Sequence, residues 1–358
     1  FLLWTLISSI TAVQPVVGFK FLLNTFWYWA GFFVFSLLLF KQDFRRYRTW
    51  LWVTAPVLVL ILIYTVGTHA TRGFSFKASY FHMKPFYLEH TVYGAALALY
   101  FVGYLLLALE SRVRSISWWL AWGLTGFVGF AFLTSYVRGA WGSVVIALGV
   151  WILAKYWRVL RLPFFFFLLA GSVALTAVVN DIDIEFTKTQ DRTMFEHLQS
   201  AFDTETNLSN RERINRWAAA IDMTAERPVV GFGPGGYAFE FAEYQHALKM
   251  TEISQRSRNT IGTAHNELLR WSSEMGLPGA ALFLILMVAS VWRGVVGYRR
   301  ATNPHIKTAY AIAFTTLLTY YVHSLVNNYF GMDKITIPLF MMLALITALD
   351  TWHLRQSE

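Results

Sequence analysis

Residues 87–109 read YLEHTVYGAALALYFVGYLLLAL, with Glu89 as the one formal charge. A helix rises about 1.5 Å per residue, so roughly twenty such residues cross the hydrocarbon core of a bilayer. No water reaches a backbone N–H or C=O there, and a helix satisfies its own. The stretch predicts a transmembrane helix, and the pattern recurs along the chain. Ten apolar runs lie near 1–18, 21–40, 50–66, 87–109, 118–135, 139–154, 162–180, 277–292, 308–326 and 335–351. Most are rich in Leu, Val, Phe and Trp all round, as spans facing lipid or other spans must be. Trp50, Trp52, Trp118, Trp119, Tyr156, Trp157, Tyr298 and Trp352 fall near their ends, where amphipathic rings favour the bilayer interface. The fold class expected is an all-α polytopic membrane protein with about ten transmembrane helices and one large, mostly helical outward loop.

Composition agrees. Of 358 residues, 56% are hydrophobic and only 14% charged, against about a quarter charged in a soluble domain. A cytosolic enzyme is excluded, as are a disordered chain, a collagen and a coiled coil. There is no cysteine, so there is no disulfide, thiol nucleophile or thiolate metal site. The chain begins at Phe1, and its first run lacks the basic n-region and small-residue cleavage site of a signal peptide.

The loops set the orientation. One group, including Lys41, Arg45, Arg46, Arg48, Lys155, Arg293, Arg299, Arg300 and Lys307, holds 14 basic residues; the opposite short loops hold 6. The positive-inside rule puts the richer group in the cytoplasm. The expected units are then 1–180 (N-terminal spans), 181–276 (outward loop domain) and 277–358 (C-terminal spans). The outward loop carries 10 Lys or Arg and 15 Asp or Glu, leaving the rest of the chain at +14. The net charge of +9 thus reflects membrane topology, and no basic stripe with stacking aromatics suggests nucleic acid.

The outward loop is too long for a passive connection. Ser209-Asn210-Arg211-Glu212 fits a capping box, predicting a helix to about Glu226, before Pro228. Its apolar stripe is Ile214, Trp217, Ala218, Ile221 and Ala225; Arg213 and Arg216 share another face, and Arg211 points away from Arg213. Gly231-Phe232-Gly233-Pro234-Gly235-Gly236 formally matches G-x-G-x-x-G, but no strand precedes it and no βαβ unit surrounds it. A tight turn passing close to other backbone is the better reading. A second helix is predicted from near Thr263 to Gly276. It places His265 in a first turn, where the helix N-terminus disfavours an imidazolium and leaves a neutral base.

Arg138, in Ser135-Tyr136-Val137-Arg138-Gly139-Ala140-Trp141, sits between two spans with almost no loop. Such an arginine either snorkels to the interface or serves a function. Its planar fork suits a phosphate or diphosphate. Arg138, Arg213 and Arg216 at the outer leaflet would suit a lipid-linked diphosphate. Arg72, Lys77 and Lys84, in the outward loop 67–86, would join them or hold lipid headgroups. Asp181, Asp183 and Glu185 are the paired acids a hydrolase would need, but they directly follow a span. His246, His265 and Glu267 lack the one-face spacing of a zinc helix, so no metal and no cofactor is expected. His69, His82 and His90 read as interfacial histidines, and His323 and Asn327 as bridges between helices.

Three motifs, in this order, resemble those of the O-antigen ligase family, which includes lipopolysaccharide O-antigen ligases, O-antigen polymerases and O-linked oligosaccharyltransferases. The first is Ser135 to Trp141, similar to S-x-x-R-G-A/S-W at a span end. The second is Arg213-Ile214-Asn215-Arg216-Trp217 followed by Pro228-Val229-Val230-Gly231-Phe232-Gly233-Pro234-Gly235. The third is Ala264-His265-Asn266-Glu267-Leu268-Leu269 with Glu274-Met275-Gly276-Leu277-Pro278-Gly279. The resemblance implies a fold of the polytopic glycosyltransferase class with about twelve spans in the full chain, two of them before Phe1. It implies a metal-independent, inverting transfer from an undecaprenyl-diphosphate-linked glycan at the periplasmic face of the inner membrane. Arg138 and Arg213 would hold the diphosphate, and His265 would be the catalytic histidine. Arg211, Arg216, Arg72, Lys84, Tyr136 and Asn266 are further candidate contacts to diphosphate or glycan.

The single large loop and short chain favour a ligase with lipid A–core oligosaccharide as acceptor. A polymerase or an O-linked oligosaccharyltransferase is the alternative, differing only in acceptor. A transporter of a lipid-linked anion is the alternative of another class, but the paired inverted repeats of transporters are absent from the sequence.

Overall fold

The computed structural model describes residues 1–111, 113–160, 208–246 and 262–354. The expected span 162–180, the acids at 181, 183 and 185, and parts of the segment 181–276 lie outside the described residues. Among the described residues the chain is all-helical, without strands. In order come α1 (Leu2–Ile10), α2 (Pro15–Gln42), α3 (Arg46–Ala70), α4 (Phe76–Ser79), α5 (His90–Glu110), α6 (Ile116–Leu133) and α7 (Arg138–Lys155). Then follow α8 (Leu208–Glu226), α9 (Tyr237–Glu240), α10 (Glu267–Arg300), α11 (Pro304–Ser324) and α12 (Asp333–His353). Seven of these, α2, α3, α5, α6, α7, α10 and α12, are long and apolar enough to cross a membrane. The chain is a polytopic membrane protein.

The layering follows from side-chain character. α5 and α11 are buried along most of their length and pack against each other; α11 also packs against α7, α10 and α12. Their small residues permit this closeness: Gly94, Ala95, Ala96 and Ala98 on α5, and Ala309, Ala311 and Ala313 on α11, are all buried. The outer helices instead expose Val53, Val57, Leu60, Trp119, Val145, Ile285 and Val288, as a lipid-facing surface does.

The first expected span, 1–18, is corrected. It is broken after the nine-residue α1, because Gln14 is non-helical and Pro15 has no N–H to continue a helix. Pro15 instead starts α2, which runs unbroken in helical sense to Gln42 through a π-turn at Trp29–Val34.

α1 has a different task. Inside α10, Gly276 adopts φ 69°, ψ 179°, and Pro278 follows without an N–H, so the carbonyls before the kink lack helical donors. The glycine-rich turn supplies them: Phe232 N–H bonds Ser273 O at 2.9 Å, and Gly233 N–H bonds Glu274 O at 2.8 Å. Leu277 N–H in turn bonds Pro228 O at 2.8 Å. From α1, Trp4 Nε1 donates to Met275 O at 2.8 Å, and Ser8 Oγ donates to Val230 O. A Cβ at Gly231 or Gly276 would collide with the facing backbone. The turn is therefore a clamp on the α10 kink, which agrees with the close-approach reading and leaves no role for a dinucleotide.

Candidate active site

α8 lies across the end of the bundle where α10 begins. Its buried face is the opposite of the expected stripe. Glu212, Asn215, Arg216, Ala219, Ala220 and Met223 are buried, whereas Ile214, Ile221 and Ala225 are exposed. Polar residues can face inward because each has a partner. Arg216 Nε donates to Glu212 Oε1 at 2.7 Å, its Nη1 donates to Thr263 O at 3.2 Å, and its guanidinium lies 5.2 Å from the Phe241 ring centroid. Glu212, expected to complete a capping box, is thus committed to Arg216. Asn215 Nδ2 donates to Gln245 at 2.9 Å. Ala220, Met223, Phe232, Tyr237, Phe241 and Ala264 form a small separate core beneath the helix.

Arg213, one turn before, points elsewhere. Its Nε donates to Val326 O at 3.2 Å and its Nη1 to Asn210 Oδ1 at 3.2 Å. Burial pushes its pKa down, Tyr329 opposes this, and the neighbouring charge of Arg138 pushes it down further. Arg138 begins α7, and the next residue, Gly139, lies so close to α11 that a Cβ there would sit 3.1 Å from the His323 ring. Tyr80, on the loop between α3 and α5, feels both arginines: burial raises its pKa, and Arg138 and Arg213 lower it. Two guanidiniums are held within reach of each other's field, an arrangement that suits an anion between them.

His265 lies in the field of Arg213 and Arg216 but not in a helix. Its φ is 49°, and the helix begins at Glu267 with Asn266 as N-cap, whose Oδ1 accepts from Leu269 N–H at 3.1 Å. This corrects the expected first-turn placement. The strained backbone is held by Trp217, whose Nε1 donates to His265 O at 3.4 Å. The imidazole is pushed down to about 4, first by burial, then by the charges of Arg216 and Arg213; a hydrogen bond to Asn327 and the Glu212 charge oppose them. The neutral form expected from sequence is favoured, but burial and arginines are the cause rather than a helix dipole.

The remaining expected residues divide clearly. Tyr136, at φ 56°, donates its hydroxyl to Phe74 O at 2.8 Å and braces the turn before Arg138. Asn266 uses its other amide end to donate to Leu325 O at 2.9 Å. Arg211 is exposed on α8, and Arg72 and Lys84 are exposed on the α3–α5 loop. His246 pairs with Asp222 at 2.6 Å, and Glu267 faces backbone N–H groups, so these two do not converge with His265. Among the described residues no group of three His, Asp or Glu side chains is placed to hold a metal ion.

The loop between α11 and α12 was the part least visible beforehand. Glu267, wholly buried, accepts from Tyr329 N–H at 2.8 Å and Phe330 N–H at 2.7 Å through Oε1. Arg270 bonds Phe330 O at 3.2 Å, Glu274 at 3.2 Å and Glu267 at 3.6 Å. The spacing of Glu267, Arg270 and Glu274, three and four apart on one helix face, was the available signal. A cavity of about 430 Å³ lies between α1, α2, α10 and α12 and includes neither His265 nor the two arginines.

A family model described as O-antigen ligase matches residues 123–284. Over this stretch the chain is similar to the O-antigen ligase family. The matched stretch contains α7, α8, the glycine turn, His265 and the α10 kink, and so all three sequence motifs. No curated protein matches the chain. The match supports a glycosyltransferase-like enzyme of the ligase or polymerase type, acting on a lipid-linked glycan in a membrane.

Proposed function

We propose that the protein is an O-antigen ligase, moving a glycan from undecaprenyl diphosphate to lipid A–core oligosaccharide at the periplasmic face of the inner membrane. The observation that carries this reading is the grouping of a neutral histidine with two arginines that feel each other's charge. Arg138 and Arg213 hold the diphosphate. Arg216 belongs to the scaffold, since its charge is already matched by Glu212.

In this reading an acceptor hydroxyl oxygen attacks the anomeric carbon as its proton passes to His265 Nε2. The bond from that carbon to the diphosphate oxygen breaks, and its electron pair leaves on the diphosphate. The growing negative charge is met by the two guanidiniums, fixed before the reaction begins. A single displacement of this kind inverts the anomeric centre. The transfer needs no metal, because arginines supply the charge and histidine takes the proton.

The test supplies purified protein with undecaprenyl-diphosphate-linked O-antigen and lipid A–core in the presence of chelator. Glycosylated lipid core is expected from the wild type and not from His265→Ala or Arg138→Ala. A lengthened donor would identify a polymerase. A donor that is moved but never cleaved would replace the enzyme with a transporter.

A further inference from the structure

The loop between α11 and α12 holds a side chain whose place next to His265 is unusually well determined. Asn327 is buried, with Oδ1 3.4 Å from His265 Nδ1 and Nδ2 3.1 Å from His323 Nε2. The Tyr329 hydroxyl lies 3.3 Å from the same His323 nitrogen. An amide has a donor end and an acceptor end, so assigning one end assigns the other. The Asn327 NH2 donates to His323 Nε2, whereas the Tyr329 hydroxyl donates its proton to Thr91 O at 3.3 Å. With its NH2 on His323, the Asn327 oxygen faces His265. Opposite an oxygen, His265 Nδ1 carries the proton and Nε2 keeps its lone pair.

The backbone around Asn327 cannot easily shift. Glu267 takes the N–H groups of Tyr329 and Phe330, Asn266 bonds Leu325 O, Arg213 bonds Val326 O, and Met332 N–H bonds Tyr329 O at 3.0 Å. The two residues after His265 in the third motif, Asn266 and Glu267, thus hold the loop that carries its partner. Gly139, packed on the His323 ring, ties the same network to the helix that begins with Arg138.

We propose that Asn327, oriented by His323, is a positioning residue that fixes His265 as the Nδ1–H tautomer and leaves Nε2 to receive the acceptor's proton. The proposal rests on the reading of His265 as general base. Orientation of a histidine through its second nitrogen is a general device, and its loss costs about ten- to a hundredfold in activity where it has been removed.

The first experiment needs no turnover. Protein labelled with ¹⁵N at histidine is studied by NMR in lipid, with the His265 signals assigned from their loss in His265→Gln. A pyrrole-type Nδ1 and a pyridine-type Nε2 are expected; the reverse pattern overturns the proposal. The second follows undecaprenyl-diphosphate-linked O-antigen transfer to lipid A–core. Asn327→Leu should lower kcat by about ten- to a hundredfold with KM nearly unchanged. Asn327→Asp should keep much of the activity and move the acid limb of the pH profile upward. A carboxylate at Nδ1 favours the imidazolium against Arg213 and Arg216, the cations facing His265, and adds to Glu212. Wild-type kcat in Asn327→Leu, or a loss in KM alone, overturns the assignment. Should Asn327→Leu fail to fold, the tautomer spectrum and Asn327→Asp still decide. Full transfer by His265→Ala would instead remove the general base itself, an outcome separate from failure at Asn327.

Discussion

Two charged regions lie within a few turns of each other, and they are built on opposite terms. At the start of α10, Arg270 sits between Glu267 and Glu274, its guanidinium also 5.0 Å from the Trp271 ring and 5.3 Å from that of Phe21. The arginine there meets two carboxylates, and Glu267 further ties down the α11–α12 loop. At Arg138 and Arg213, like charges are brought within each other's field and His265 is kept neutral. The first arrangement holds the fold, because breaking a buried ion pair strands a charge away from water. The second is, in the proposed reading, the place where the donor's diphosphate binds. The contrast even runs along one helix, since Arg216 belongs to the first kind and Arg213 to the second.

The comparison can be broken most sharply at His265. His265→Ala should lower transfer by about a hundredfold to ten-thousandfold while leaving the melting temperature in place. Glu267→Ala should do the reverse, losing about 3–5 kcal/mol of stability and with it most folded protein. A thermal melt in detergent beside a transfer assay separates them. A stable Glu267→Ala protein would dissolve the distinction between the two regions.

The next test stays on α8. Arg213→Lys keeps the charge but loses the planar fork, and transfer should fall by about a hundredfold at unchanged melting temperature. Arg216→Lys should chiefly lower the melting temperature, because its three fixed partners are structural. Equal behaviour of the two variants would deny that three residues separate two roles.

The pH dependence is a finer probe. The base must be neutral, and burial and two arginines hold its pKa near 4 rather than 6.5. The rate governed by kcat/KM should therefore stay flat as pH falls through 6.5 and drop only on approach to 4. A limb centred near 6.5 would mean that His265 is solvated and ordinary during turnover.

Much of this was legible beforehand, and the reason lies in what sequence can encode. Apolar runs mark spans because lipid demands them at every position. Arg138, Arg213 and His265 stand out because their side-chain chemistry suits the proposed transfer. The α8 face was misread because apolar periodicity assumes that burial selects hydrophobic residues, whereas Arg216 and Asn215 are buried by specific partners distant in sequence. Similarly, the role of the α11–α12 loop depends on carbonyls of Leu325, Val326 and Phe330, and any residue supplies a carbonyl. The helix start at Glu267 was missed by a few residues because Asn266, not an earlier residue, caps it.

The smallest expected effect concerns the exposed cations. Arg211, Arg72 and Lys84 entered as candidate contacts to diphosphate or glycan, yet all three are exposed. A charge in water acts weakly at a distance and is screened over about 8–10 Å at moderate salt. Arg211 is two residues from Arg213 on α8, so its side chain leaves the helix in a nearly opposite direction. Alanine at each of the three should change transfer by less than about twofold at 0.15 M salt, with any effect growing as salt is lowered. That salt dependence separates long-range attraction of an anionic donor from direct contact. A tenfold, salt-insensitive loss in Arg72→Ala would mean that the α3–α5 loop closes on the diphosphate during turnover. The division between paired scaffold charges and the two functional arginines would then extend to a third.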